Sequence, residues 1–148
     1  EFDPENPVNS FVEVEIDAAS LWSGDPDRDN HLRHSDFFDV ETHPKITFKG
    51  NDVQLLSNHE FKVTGDLTIR GVTRKVTLDV RYLGQWQTPY WEDGVDKGPM
   101  PRAGFVAQTT INRHDFGVSW NATMDKGGVV VGDDVLITID VEALLQQP

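Results

Sequence analysis

The densest group of chemically capable side chains lies in GDPDRDNHLRHSDFFDVETHP, where His31 and His34 stand three residues apart and Asp36, Asp39 and His43 follow closely. Imidazole nitrogen and carboxylate oxygen both ligate zinc, and histidines at i,i+3 share a helix face, so a metal site is one reading. The metalloprotease spacing, two histidines at i,i+4 with a glutamate between, is absent. The plain alternative is a set of surface or lid residues making hydrogen bonds. A third reading puts His31 and Arg33 at the mouth of a cavity, in contact with a phosphate or quinone-like head group, since arginine suits bidentate phosphate recognition. Farther on, Asn112, Arg113, His114 and Asp115 set a histidine beside an aspartate. Neighbours on an extended chain point to opposite faces, so a strand-to-turn corner is the simpler reading there. Together His31, His34, Asp36 and His114 define an enzyme alternative, metal-dependent or acid/base. Ser20 and Ser119 lack the nucleophile-elbow context, and KGGVVVGDD lacks the lysine and hydroxyl of a phosphate loop. Of the tryptophans, Trp22 and Trp120 are expected to pack, and Trp86 and Trp91 to flank a long loop at a cavity rim.

The elements that must position these groups are strands, because the chain is dominated by period two. In FVEVEID, Val12, Val14 and Ile16 alternate with acids, and KITFKG repeats the pattern, with a possible extension from Val53 to Leu56. EFKVTGDLTIR, KVTLDVRYLGQW, AGFVAQTTINR and DDVLITIDVEA continue it, which makes six strands. Gly65 marks a bulge or bend, and GVTR reads as a hairpin connector. The exception is a short helix from about Pro26 to His34, with Asp25 as N-cap, Pro26 in the first turn and Asp29 set to pair with Arg33. Only Leu32 is apolar within it, which predicts a lid pinned by Phe37 and Phe38. QTPYWEDGVDKGPMPR reads as a long flexible loop with aromatic anchors.

Composition narrows the classes. A length of 148 residues favours one domain. With 13 Lys+Arg against 25 Asp+Glu the net charge is -12, and no basic cluster offers the surface that nucleic acid or an anionic membrane needs. The absence of cysteine removes disulfides, thiolate metal sites and thiol nucleophiles. Apolar runs of three or four residues are far short of a spanning helix. Alternation on every strand argues for an antiparallel sheet, as sandwich or barrel. Its interior is made of Val, Ile, Leu, Thr, Ala and Gly, with Phe48, Phe61 and Phe105 as the large rings. Either a second layer fills that face, or the sheet curls and leaves a tunnel, as closure with about eight strands allows.

The segments IDAASLWSGDPDRDNHLRHSDFFDVETHPKITFKG, FKVTGDLTIRGVTRKVTLDV, INRHDFGVSWN and VGDDVLITIDVEAL, in this order, resemble the YceI-like, polyisoprenoid-binding family of bacteria. The resemblance implies an all-β, antiparallel, lipocalin-like barrel of eight strands with a short helical lid. It also implies a binding or carrier protein, not an enzyme, holding an elongated isoprenoid lipid, polyprenyl or quinone-like, without metal or cofactor. From the alternation, the tail is expected along Val14, Ile16, Phe48, Phe61, Val63, Leu67, Ile69, Leu78, Val80, Phe105 and Ile137, with His31, Arg33, Trp86 and Trp91 at the head group or mouth. Lys75 stands where related sequences often have proline, a change at a turn. About six of the eight strands are present, so residues 1–148 are expected to be a single domain that is truncated at the N-terminus. That leaves an open seam whose edges could pair with a second copy. The resemblance is compatible with bacterial cytoplasm or periplasm.

Overall fold

A computed structural model describes residues 1–3 and 5–144, and in it the six alternating segments form one antiparallel sheet. The strands are β1 (Val12–Asp17), β2 (Lys45–Ser57), β3 (Glu60–Ile69), β4 (Val72–Glu92), β5 (Val95–Asn112) and β6 (Asp134–Leu144). They are hydrogen-bonded in chain order, so β1 and β6 are the edges. Arg70–Gly71 joins β3 to β4 and Asp93–Gly94 joins β4 to β5. All four residues have positive φ (49°, 71°, 50° and 78°), the paired left-handed conformation whose twist matches hairpin strands. The expected GVTR connector therefore shrinks to two residues, and Val72 already belongs to β4.

The expected loop QTPYWEDGVDKGPMPR is instead the outer half of the β4–β5 hairpin, paired from Gln87↔Pro101 through Glu92↔Val95. Asp-Gly supplies the turn that the aromatic and proline content concealed. The prolines fit because Pro89 faces Pro99 and Gln87 faces Pro101. Two prolines directly opposite can exchange no N–H bond, so they occupy a non-hydrogen-bonded position, and Pro101, two residues on, shares that phase. Among the described residues this part of the hairpin is a two-stranded ribbon projecting past the rest of the sheet.

The sheet curls into a half-barrel. β3 shows why one face is interior: Phe61, Val63, Gly65, Leu67 and Ile69 are buried, whereas Glu60 and Asp66 are exposed. The β2–β3 ladder is interrupted where Gly50 faces Gly65 and Asn51 is the extra residue of a bulge on β2, a feature that bends a strand, so the irregularity lies opposite Gly65. A Cβ on Gly65 would lie 2.3 Å from the Lys49 carbonyl oxygen, and one on Gly50 would lie 2.7 Å from Val63. Only glycine lets the two backbones approach this closely.

The outer face carries the charges in cross-strand pairs: Lys45–Glu15 at 2.9 Å, Lys62–Asp79 at 2.6 Å and Lys75–Asp66 at 2.9 Å. The hydrogen bond to Glu15, and then that carboxylate's charge, raise Lys45 above its ordinary 10.5. Exposed pairs of this kind are screened by solvent and add little stability, but they favour one register over its neighbours.

Helix α1 (Pro26–Arg33) lies in the connection between β1 and β2, and Asp25 caps it by accepting from the Asp27 and Arg28 N–H groups. The expected Asp29–Arg33 pair does not form. Asp29 is buried and accepts from the Ser23 N–H at 2.8 Å, while Arg33 donates to the carbonyls of Ala19 (3.0 Å) and Leu21 (2.7 Å). Both side chains reach back to the segment before the helix, whose polar backbone groups need partners.

Gly65→Ala is expected to cost about 1–3 kcal/mol by forcing β2 and β3 apart. Gly132→Ala, at a glycine with open space around it, should stay within about 0.5 kcal/mol of the parent. Urea denaturation of the two variants checks the contrast, and equal stability would show that the close approach does not set the curvature.

Candidate functional site

Among the described residues no second sheet lies against the inner face; the curl encloses a cavity of about 1140 Å³. Its floor comes strand by strand: Val14 and Ile16 from β1, Phe48 from β2, Phe61, Val63, Leu67 and Ile69 from β3. Leu78 and Val80 follow from β4, Phe105 from β5 and Ile137 from β6. All eleven residues placed along a tunnel by alternation thus line one continuous space. Val12, Ile46, Ala107, Ile111 and Ile139 join them in the same phase of the same strands. The rest of the wall comes from connections. Leu32, Phe37 and Phe38 close one end from α1 and the turn after it, with Phe116, Val118 and Val131 from the β5–β6 connection beside them. Phe2 and Phe11 line it from the chain's first residues, and Gln85, Pro101 and Arg102 from the base of the projecting hairpin.

The four residues expected at the mouth do not line this cavity. His31 bonds Asp36 at 2.8 Å, and its ring stands edge-on to Phe37 (5.0 Å) and Trp120 (4.7 Å), so it ties α1 to the β5–β6 connection. Arg33 is engaged by the two carbonyls that it clamps. Trp86 covers Gly104, where an added Cβ would meet its ring at 2.9 Å, and Trp91 is exposed on the projecting ribbon. Both lie on hairpin strands, since the loop that was to carry them to a rim is regular β-structure. Trp22, expected to pack, is 84% exposed. The enzyme alternative finds its residues dispersed: His34 bonds the Asn30 carbonyl at 2.6 Å, and His114 bonds Asp133 at 2.9 Å. Among the described residues, no three His, Asp or Glu side chains gather as a metal site would require.

Comparison with known proteins agrees with this arrangement. The YceI-like domain family matches residues 1–143. The chain belongs to the YceI-like family. A UPF0312 protein of Pseudomonas putida is 34% identical over 99% of this chain and 68% of its own length. One from Staphylococcus aureus is 34% identical over 93% of this chain and 76% of its own. Among solved structures, the Campylobacter jejuni YCEI protein superposes with a TM-score of 0.80 at 30% identity, covering 99% of this chain and 79% of that one. Burkholderia cenocepacia BcnA gives 0.76 at 26% identity, over 97% and 80%. The YceI-like fold is a binding-protein fold of lipocalin-like type, and the curled six-stranded sheet with one short helix is this chain's version of it.

In this YceI-like chain the lid end depends on Arg113, which sequence reasoning read only as part of a polar corner. Its side chain is buried, 4% exposed, at the edge of the cavity. The guanidinium donates to the carbonyls of Gly132 (2.8 Å), Val118 (2.8 Å), Trp120 (2.9 Å) and Val131 (3.3 Å), with Asp133 at 3.7 Å. An irregular connection that contributes to an apolar wall has carbonyls without ladder partners, and a planar five-donor group satisfies several at once. Asn121 does the same for the far side of the loop, accepting from Val130 and Val131 N–H groups and donating to the Val131 carbonyl. The position of Arg113 just past the end of β5, inside the Asn-Arg-His-Asp run, was the one available signal. Arg113→Met is expected to cost on the order of 2–3 kcal/mol by stranding buried carbonyls. Arg113→Lys should recover little of that, because an ammonium cannot span the same acceptors; thermal unfolding of both variants checks this, and full rescue by lysine would reduce the role of Arg113 to its charge.

Proposed function

We propose that the protein is a binding or carrier protein that holds one elongated isoprenoid lipid, polyprenyl or quinone-like, in the cavity under the curled sheet. The observation that carries this reading is the cavity itself, about 1140 Å³ bounded almost wholly by aliphatic and aromatic side chains. Its size reaches past the usual range for small-molecule pockets, roughly 300–1,000 Å³. Apolar walls facing a void forgo the contacts that packed interiors make, and a hydrocarbon tail would restore them. Each buried CH₂ would contribute about 0.8 kcal/mol before ordering costs. Membership of a family described as polyisoprenoid-binding supports the chemistry of the tail. The reading is one of shielding rather than catalysis: His31, His34 and His114 are each spent in a local hydrogen bond.

Organic extraction of natively expressed, full-length protein followed by mass spectrometry should recover a prenyl lipid at about one per chain, and recovery of none would overturn the reading. Ala107→Trp is the matching variant, because Ala107 is buried at the middle of the floor. It should abolish or shorten the recovered lipid while the far-ultraviolet circular dichroism remains that of the parent.

The two sheet edges favour a second reading, pairing of copies across the seam between β1 and β6, which is how exposed edges recruit strands. Light scattering reads it directly: twice the chain mass is the expected value, and a monomeric mass removes it.

A further inference from the structure

Of the two rings that the first residues bring to the cavity, Phe2 and Phe11, Phe2 rests against three others. Its centroid is 5.0 Å from Phe105, 5.5 Å from Tyr82 and 6.4 Å from Phe61, nearly perpendicular to the two phenylalanines and tilted on the tyrosine. The three partners belong to the sheet. Tyr82 and Phe105 are directly opposed on β4 and β5, with rings 5.3 Å apart, and Phe61 stands opposite Val80, two residues along β4 from Tyr82. The His59 ring stacks on Tyr82 at 5.9 Å. The nest is therefore built by strand register, and Phe2 is its occupant rather than part of its frame.

The segment that carries Phe2 is fastened mainly to itself. Glu1 and Phe11 exchange backbone hydrogen bonds at 2.7 and 3.1 Å, the Asp3 N–H donates to Ser10 Oγ at 2.9 Å, and Asp3 Oδ1 accepts from the Glu5 and Asn6 N–H groups. Among the described residues, none of the hydrogen bonds of residues 1–11 reaches another strand. What holds the segment over the cavity is apolar contact, including that of the Phe2 ring with the rings of β3, β4 and β5.

We propose that the nest of Phe61, Tyr82 and Phe105 is a subsite for an uncharged planar ring at the hairpin end of the cavity, and that Phe2 is a plug which a ring-bearing ligand displaces. This rests on the reading of the cavity as a lipid site and adds to it where the ring sits and what must move. Aromatic faces and edges recognise another ring in the offset and edge-on geometries that Phe2 adopts. An anionic head finds only a partly neutralised partner there, because Arg102, the one cationic side chain lining that end, pairs with Glu142 and stands 5.8 Å over Tyr90, and only its buried Nε is without a hydrogen-bond partner. The other cationic side chain of the lining, Arg113, is at the lid end with its donors engaged.

The test compares three probes of equal tail, a farnesylated benzoquinone, farnesol and farnesyl phosphate, by equilibrium titration of the full-length protein. Tyr82→Leu removes a ring of the nest that is not among the residues placed along the tail; it should weaken the quinone roughly threefold to tenfold and leave farnesol within about twofold. Phe2→Ala removes the competitor and should tighten the quinone by a similar factor, again with farnesol unchanged, while farnesyl phosphate binds no better than farnesol to any variant. Equal effects on quinone and farnesol, or a weakening of both by Phe2→Ala, would overturn the subsite and make Phe2 a fixed part of the wall. Failure of all three probes to bind the unaltered protein would instead overturn the lipid-site reading beneath it. Should Phe2→Ala not fold, protease cleavage within residues 1–11 of the unaltered chain decides: faster cleavage with quinone than with farnesol supports displacement, and equal rates refute it.

Discussion

The described residues answer to one constraint: a single sheet with a strongly apolar inner face must keep that face from water, with no second sheet among them to cover it. Curvature is the first part of the solution, and at Gly65 the β2 backbone of Lys49 and Gly50 approaches more closely than a Cβ would permit, while at Gly50 the Val63 and Phe48 side chains fill the space a Cβ would need. On a flat sheet Phe48, Val63 and Leu67 would lie on an open surface. Bending turns the same side chains toward one another around a common space. The result differs from an ordinary packed core, because the residues line a volume instead of filling it.

Closing the ends falls to the two long connections and the first residues, and each does so with irregular backbone that must find hydrogen bonds. At the lid end, Arg113 gathers four carbonyls and Asn121 brackets the loop beyond it, while Arg33 and Asp29 secure α1 to the segment before it. The aromatic contacts of His31 with Phe37 and Trp120 then join the two connections. Polar groups at this end thus serve to satisfy backbone, which leaves Phe37, Phe116 and Val118 free to present an apolar wall. Charge is sent to the outer face, where the lysine–carboxylate pairs align neighbouring strands and the excess acid faces solvent. The YceI-like chain is in this sense sorted by sheet face, with ionised side chains outside and hydrocarbon inside.

Much of this order was visible in the residues themselves, and the failures are instructive. All six strands and the phase of every tunnel residue followed from alternation. The projecting hairpin was read as a loop because prolines and glycines outweighed the Asp-Gly turn signal, although opposed prolines are compatible with a two-stranded ribbon. The Asp29–Arg33 pair was reasonable for an isolated helix, but the backbone of residues 19–23 competes for both side chains. Trp22 is expected to pack from its type alone, but in the β1–β2 connection it stands in solvent. Arg113 looked like one polar residue among four, since nothing local marks which member of such a run will be buried.

Alternation of apolar and polar residues is a property of the backbone pleat, which sends successive side chains to opposite faces whatever lies beyond. For that reason the sequence alone determined the six strands and the face their apolar residues take, and Asp25 and Pro26 determined the capped start of α1. The pleat carries no information on how far a sheet curls, or on whether its inner face meets another layer or a void. Those outcomes were decided by contacts between residues far apart in the chain: Gly50 against Gly65, Arg113 against the loop it anchors, Phe2 among the rings of three strands. They arise only when the six strands are assembled, which is why the cavity and its closures belong to the tertiary structure.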